Sequence, residues 1–166
     1  MDCPRRSTLV SLVALLVLCT MPTVAVAGWR VLPTTGFVTE NQQLTLINTI
    51  GGLWLRSSQN GDRFRVFQGL PVTEGDVIDA IALCYRAEAG TDITAIGLLD
   101  FIVPAASTGI SRRVDTTDLN SRTDTCYVSP VADYVPAGAV NLWLQLHFTF
   151  SGEGTIYIGA VAVHVK

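Results

Sequence analysis

Between Val140 and Phe150 the chain alternates. Its even positions, Val140, Leu142, Leu144, Leu146, Phe148 and Phe150, are all apolar; of the odd positions Asn141, Trp143, Gln145, His147 and Thr149, only Trp143 is. A period of two places successive side chains on opposite faces, so this segment is predicted to be a strand with one buried face. Ser151-Gly152-Glu153-Gly154 then turns the chain. The following run, Ile156 to Val165, is rich in β-formers and apolar on both faces, which predicts a central, covered strand.

The same rhythm runs through the earlier half. Leu44–Ile50 and Leu53–Ser57 flank Gly51-Gly52, a two-residue hairpin signal. Asn60-Gly61 is a second such signal, between Leu53-Trp54-Leu55-Arg56 and Arg63-Phe64-Arg65-Val66-Phe67. Pro71 and Gly75 mark a loop, and Ile78–Ala87 and Ile93–Asp100 read as strands around Gly90. Ile78–Ala87 also fits a helix capped by Asp76, with Ile78, Ile81, Ala82 and Tyr85 along one side; strand is preferred because its neighbours are strands and Gly90 ends it early. Residues 104–139 carry three prolines and many Ser, Thr and Asp, and read as long loop around a short strand at Thr125–Val128. The pattern predicts an all-β chain: an antiparallel β-sandwich, jelly-roll-like, of seven to nine strands.

The first 27 residues break that pattern. Arg5 and Arg6 precede an apolar stretch from Leu9 to Cys19, interrupted only by Ser11, and Ala25-Val26-Ala27 puts small residues where a signal peptidase reads. This is the three-part plan of a secretory signal, with cleavage expected after Ala27. A membrane anchor is the competing reading, but the apolar core is short for one. Residues 28–166 then form a single domain of 139 residues, long enough for an independent core. The expected location is secreted or periplasmic, with no membrane span after cleavage.

Composition narrows the function classes. Hydrophobic residues make up 49% and charged residues 15%, which argues against a disordered chain. The mature segment has nine basic and thirteen acidic side chains, a net charge of −4. A nucleic-acid partner is therefore not expected, since phosphate neutralisation needs a basic surface. Removing the signal also removes Cys3 and Cys19 and leaves Cys84 and Cys126. Two thiols in an oxidising compartment most simply form one disulfide. A metal pair or redox pair is the alternative, but C-x-x-C is absent and zinc would have to recruit both remaining histidines.

The run from Gly75-Asp76-Val77-Ile78 through Leu83-Cys84-Tyr85-Arg86, with Ile93 and the later Ile158-Gly159-Ala160-Val161, resembles small exported bacterial β-sandwich proteins of uncharacterised function. The resemblance covers about two thirds of the mature chain and rests on hydrophobic rhythm. It implies a fold and no activity, and carries over no functional residue.

Three groups of residues are chemically suggestive. If Asn60-Gly61 closes a hairpin, Trp54, Arg56, Arg63 and Arg65 share one face in either register, and Leu55, Phe64 and Val66 the other. Opposed arginines destabilise a sheet unless something offsets them: an anionic or sugar ligand held over an aromatic floor, or internal stacking and pairing with carboxylates such as Asp62. The second group is Trp143, Gln145 and His147, an aromatic plate beside hydrogen-bonding groups, suited to a sugar ring or simply a packed Trp with an exposed His. The third is Asp115, Asp118, Asn120 and Asp124, oxygen donors suited to calcium but equally ordinary turn residues; no metal site is assigned to them. No H-E-x-x-H, G-x-S-x-G or P-loop motif occurs, so no catalytic residue and no cofactor are expected. The leading expectation is a non-catalytic recognition module for a carbohydrate or anionic ligand. The alternatives are an exported structural or self-assembling protein and a small hydrolase using acids such as Asp79, Glu88 or Asp100.

Overall fold

The computed structural model describes residues 27–73, 75–100, 110–134 and 142–166. The expected signal segment, apart from Ala27, lies outside them. Eleven strands occur among the described residues, more than the seven to nine expected, with one short 3-10 turn at Thr34–Gly36 and no α-helix. In chain order they are β1 (Gly28–Leu32), β2 (Val38–Thr39), β3 (Leu44–Thr49), β4 (Gly52–Ser57), β5 (Gly61–Gly69) and β6 (Ile78–Ala87). Then follow β7 (Thr91–Asp100), β8 (Ile110–Asp115), β9 (Thr125–Tyr134), β10 (Leu142–Phe150) and β11 (Thr155–Val165). They form two antiparallel sheets. One has the order β3-β4-β11-β6-β9, with β1 also paired to β11; the other has the order β2-β5-β10-β7-β8.

The alternation along β10 is realised as expected. Leu142, Leu144, Leu146, Phe148 and Phe150 all point inward and are at most 1% exposed. Val140 and Asn141 lie outside the described residues. Across the sandwich these side chains belong to one core with Leu53, Leu55, Leu83, Ile156, Ile158, Val161 and Val163. Fully burying one such side chain contributes about 1.5–3 kcal/mol, so the inward rows dominate the stability of both sheets. Ile78–Ala87 is a strand, not a helix, and Cys84 and Cys126 face each other across β6 and β9 and form a disulfide.

Four readings of the sequence are corrected. The β3–β4 turn falls on Ile50-Gly51, because Thr49 pairs with Gly52. Gly52 is the one residue type possible there: its φ is +141°, and a Cβ would lie 2.2 Å from the Ile158 carbonyl oxygen. The Asn60-Gly61 connection is not a hairpin. β4 pairs with β3 and β11, whereas β5 pairs with β2 and β10, so the chain crosses from one sheet to the other there. Leu55 and Phe64 face the same core from opposite sides, which leaves the same inward-outward pattern as a hairpin would. β11 is central but not covered outside: Gly159 and Ala160 are exposed. Lastly, the presumed loop region holds two strands, β8 and β9, rather than one short one. Both are edge strands, where a polar composition and a proline such as Pro130 are tolerated.

Candidate functional site

The crossing between β4 and β5 separates the residues that a hairpin would have gathered. Trp54 and Arg56 lie on the outer face of the six-stranded sheet, opposite Tyr157 and Thr155 of β11. Arg65 lies on β5, in the other sheet, opposite His147. The opposed-arginine problem therefore does not arise for Arg56 and Arg65, and Arg63, also on β5, is likewise in the sheet opposite Arg56. Arg56 is satisfied locally: its Nε donates to Thr155 Oγ1 at 2.9 Å, and its guanidinium sits 6.0 Å from the Trp54 ring.

The odd positions of β10 do meet new partners. Strand register sets three rows across the outer face of the five-stranded sheet. Phe67, Gln145, Gly97 and Val114 form one row, Arg65, His147 and Ala95 the next, and Gly69, Trp143, Leu99 and Ser111 the third. Among the outward residues, Gln145 of β10 and Ala95 and Leu99 of β7 are buried, at 8%, 6% and 9%, against 53% for Val38 and 52% for Val114 on the edge strands. Accessibility thus falls from the edge strands to the interior ones across this face. Gly97, with no side chain, and Ala95 keep its middle low.

The polar groups on this surface are only partly satisfied within the protein. Arg65 reaches Glu40 at 3.9 Å, while its buried Nε has no hydrogen-bond partner among the described residues. Burial, and then the charge of Arg65, push the His147 imidazole below its usual value, so it is neutral at pH 7 and can both donate and accept. Strand pairing, which no local pattern discloses, sets Phe67 and Arg65 beside Gln145 and His147. Aromatic side chains, an amide, a neutral imidazole and a guanidinium on one surface suit a ligand with an apolar face and many hydroxyl groups.

The remaining candidates are drawn into structural roles. Among the described residues no three His, Cys, Asp or Glu side chains gather at metal-binding distance. Asp115 instead accepts hydrogen bonds from Thr117, Tyr127 and Ser129 hydroxyls at 2.7, 2.7 and 2.6 Å. Burial alone would raise its pKa, but these bonds outweigh burial and hold it at about 2. Asp124 pairs with Arg86 at 3.4 Å. The acids near strands do not converge either. Asp79 contacts His164 at 2.6 Å, Glu88 accepts from the Tyr157 hydroxyl at 2.8 Å, and Asp100 pairs with Arg112 at 3.0 Å.

No protein-family model and no curated protein sequence matches the chain. Solved structures do. A xylan-binding module, CBM15, is similar with a TM-score of 0.57 and 15% identity over 84% of this chain and 97% of that one. A CBM4 structure gives a TM-score of 0.53 at 14% identity, covering 83% and 86%. A family 29 carbohydrate-binding module from Piromyces equi gives 0.53 at 11%, covering 84% and 87%. At these identities the likeness is one of fold, and it spans nearly the whole of each module.

Proposed function

We propose that this protein is an exported glycan-recognition module that binds through the outer face of its five-stranded sheet. The observation that carries the reading is the in-register grouping of Trp143, Phe67, Gln145, His147 and Arg65 on the outer face of one sheet. The likeness to carbohydrate-binding modules supports the same class of ligand, since the fold alone hosts many functions but here coincides with a suitable surface. A sugar ring would lie against Trp143 and Phe67, with its hydroxyls bonded by Gln145, His147 and the exposed part of the Arg65 guanidinium. Export is supported by the apolar run and the A-x-A sequence that end just before β1 begins at Gly28.

The test is affinity gel electrophoresis in native gels containing xylan, glucomannan, mixed-linkage glucan or pectin. Retardation in at least one gel is expected, and Trp143→Ala should weaken it about ten-fold or more, the usual cost of removing a central aromatic anchor. Migration unaffected by every polysaccharide would sink the reading.

A second reading, a self-assembling exported protein, is favoured by one feature of the opposite face. Val31, Ala162, Ala82 and Val128 form an unbroken apolar row across four strands, with Val31 72% and Val128 53% exposed. Exposed apolar surface of this kind marks interaction sites. Size-exclusion chromatography with light scattering decides it: a monomer at high concentration removes this reading.

A further inference from the structure

The outer face of the six-stranded sheet contains a recess of about 550 Å³, within the size range of small-ligand sites. It arises from two neighbouring rows of very different bulk. In the first, Trp54, Tyr157 and Arg86 lie opposite one another on β4, β11 and β6, and Asp124, just before β9, pairs with Arg86. In the next, Gly52 approaches Gly159, at the irregularity in β11, and the Cys84–Cys126 disulfide continues the row. Large side chains therefore make a wall, and glycines and a disulfide make a low floor beside it.

The wall is fixed before any ligand arrives. Trp54 and Tyr157 meet edge to face with centroids 5.2 Å apart. The Tyr157 hydroxyl is bonded to Glu88, and the Arg86 guanidinium lies 4.2 Å over the Tyr157 ring. Along β4 the outward neighbours of Trp54 are Arg56 on one side and Gly52 on the other, so the tryptophan borders the recess where no side chain stands. Preformed walls reduce the ordering cost of binding.

The charge of the lining selects among ligands. Arg86 and Asp124 are the charged residues in it, and they neutralise each other. An anionic ligand would meet the Asp124 carboxylate, and a cationic one the Arg86 guanidinium. An uncharged polyol can use both, donating to Asp124 and accepting from Arg86, with its apolar C–H surface against the aromatics. We propose that this recess is a second saccharide site, opposite the first, that takes an uncharged segment of glycan. The ligand class rests on the function proposed above; the location does not.

Chemical-shift mapping of the ¹⁵N-labelled protein separates the two. Xylohexaose, cellohexaose, mannohexaose and hexagalacturonate serve as probes. At least one neutral hexasaccharide is expected to shift two groups of amides, one around residues 143–147 and one around residues 84–86 and 157–159. Gly159→Leu should remove the second group and leave the first, and Trp143→Ala the reverse, each with about ten-fold weaker binding at its own site. A Cβ at Gly159 would sit 3.9 Å from its nearest neighbour, the Cys84 carbonyl oxygen, so the leucine can project into the recess without displacing backbone. Trp54→Ala gives an independent test should that variant fail to fold. Shifts confined to residues 143–147 with every neutral probe overturn the second site and leave the first reading intact. Shifts confined to the recess overturn the first site and support the second, and shifts at neither overturn both. Perturbation of the recess by hexagalacturonate alone overturns the claim that its ligand is uncharged.

Discussion

The two outward faces of the sandwich are made by the same device and end in different states. On the five-stranded sheet Gln145, Ala95 and Leu99 are nearly buried, and the buried Nε of Arg65 has no hydrogen-bond partner among the described residues. On the six-stranded sheet Gly159 and Ala160 of the interior strand β11 are exposed, and the polar groups around the recess are paired with one another. One face holds a buried guanidinium nitrogen without a partner among the described residues; the other holds paired groups beside a local pit. Alternation along a strand decides which side chains leave the core. The shape of the sheet decides what happens to them afterwards, and unsatisfied groups in a low-accessibility surface are where a ligand gains most.

The bracing differs too, and removing it gives the largest expected effect. The Cys84–Cys126 disulfide closes a separation of 42 residues directly beneath the recess, worth about 4 kcal/mol on the chain-entropy model. Cys84→Ala with Cys126→Ala should lower the guanidinium midpoint accordingly. Saccharide binding around Trp143 should survive in the folded fraction, since the disulfide joins β6 and β9 of the other sheet. If binding there weakens in parallel, the faces are not independent.

Next in size is Arg30→Ala. Arg30 donates to both carboxylate oxygens of Asp76, at 2.6 and 3.1 Å, and Asp76 is fully buried. The bond from Arg30 is the main reason its carboxyl stays below the usual range. Removing one partner of a buried pair strands the other charge, at a cost of about 3 kcal/mol. β1 carries Trp29 and Val31, so hydrogen exchange should quicken at residues 161–165, which β1 covers, and not at residues 142–150. Equal acceleration in both strands would show that the sheets open as one.

Asp115 tests the link between the sheets. It lies on β8 of one sheet and bonds Tyr127 and Ser129 on β9 of the other. Its folded pKa of about 2 lies below the reference 3.8. Its contribution is therefore complete above about pH 4 and lost as the pH falls through 2. Allowing for solvent screening of a half-buried carboxylate, this amounts to about 1–2 kcal/mol. Asp115→Asn should cost that much in urea melts at pH 7 and nearly nothing at pH 2; a constant difference across that range would refute the assignment.

These contrasts also mark how far the sequence could be read. The inward rows of β6, β10 and β11 were legible, because a period of two with large apolar residues has one physical solution. The disulfide was legible from compartment and cysteine number. Trp143, Gln145 and His147 were legible as a group because they share one strand. The β4–β5 crossing was not: Leu53, Leu55, Phe64 and Val66 face one core whether their strands pair or stand in opposite sheets. β8 was missed because Ile110–Asp115 is an edge strand with two arginines and little to bury. Tyr157 and Arg86 were missed because register, not local pattern, sets them beside Trp54. Residues 104–109 and 135–141, read as loop apart from Val140 and Asn141, lie outside the described residues.

The smallest effect probes the five-stranded face itself. His147 loses solvent and faces Arg65 across the β5–β10 ladder, with Glu40 at the arginine's far side. Burial, followed by the Arg65 charge, holds the imidazole below its reference value of 6.5. The unfolded chain then binds the proton more readily than the folded one. Stability is complete above pH 6.5 and declines as the pH drops below it, until the folded pKa is passed. The slope cannot exceed about 1.4 kcal/mol per pH unit, because a single proton is involved. Denaturation midpoints of wild type and His147→Gln, compared between pH 7.5 and 5.5, should diverge only at the acidic end, with the glutamine variant less sensitive. A fully solvated histidine would give parallel curves. Divergence therefore reports the desolvation that distinguishes this face from its opposite, without requiring that any ligand be known.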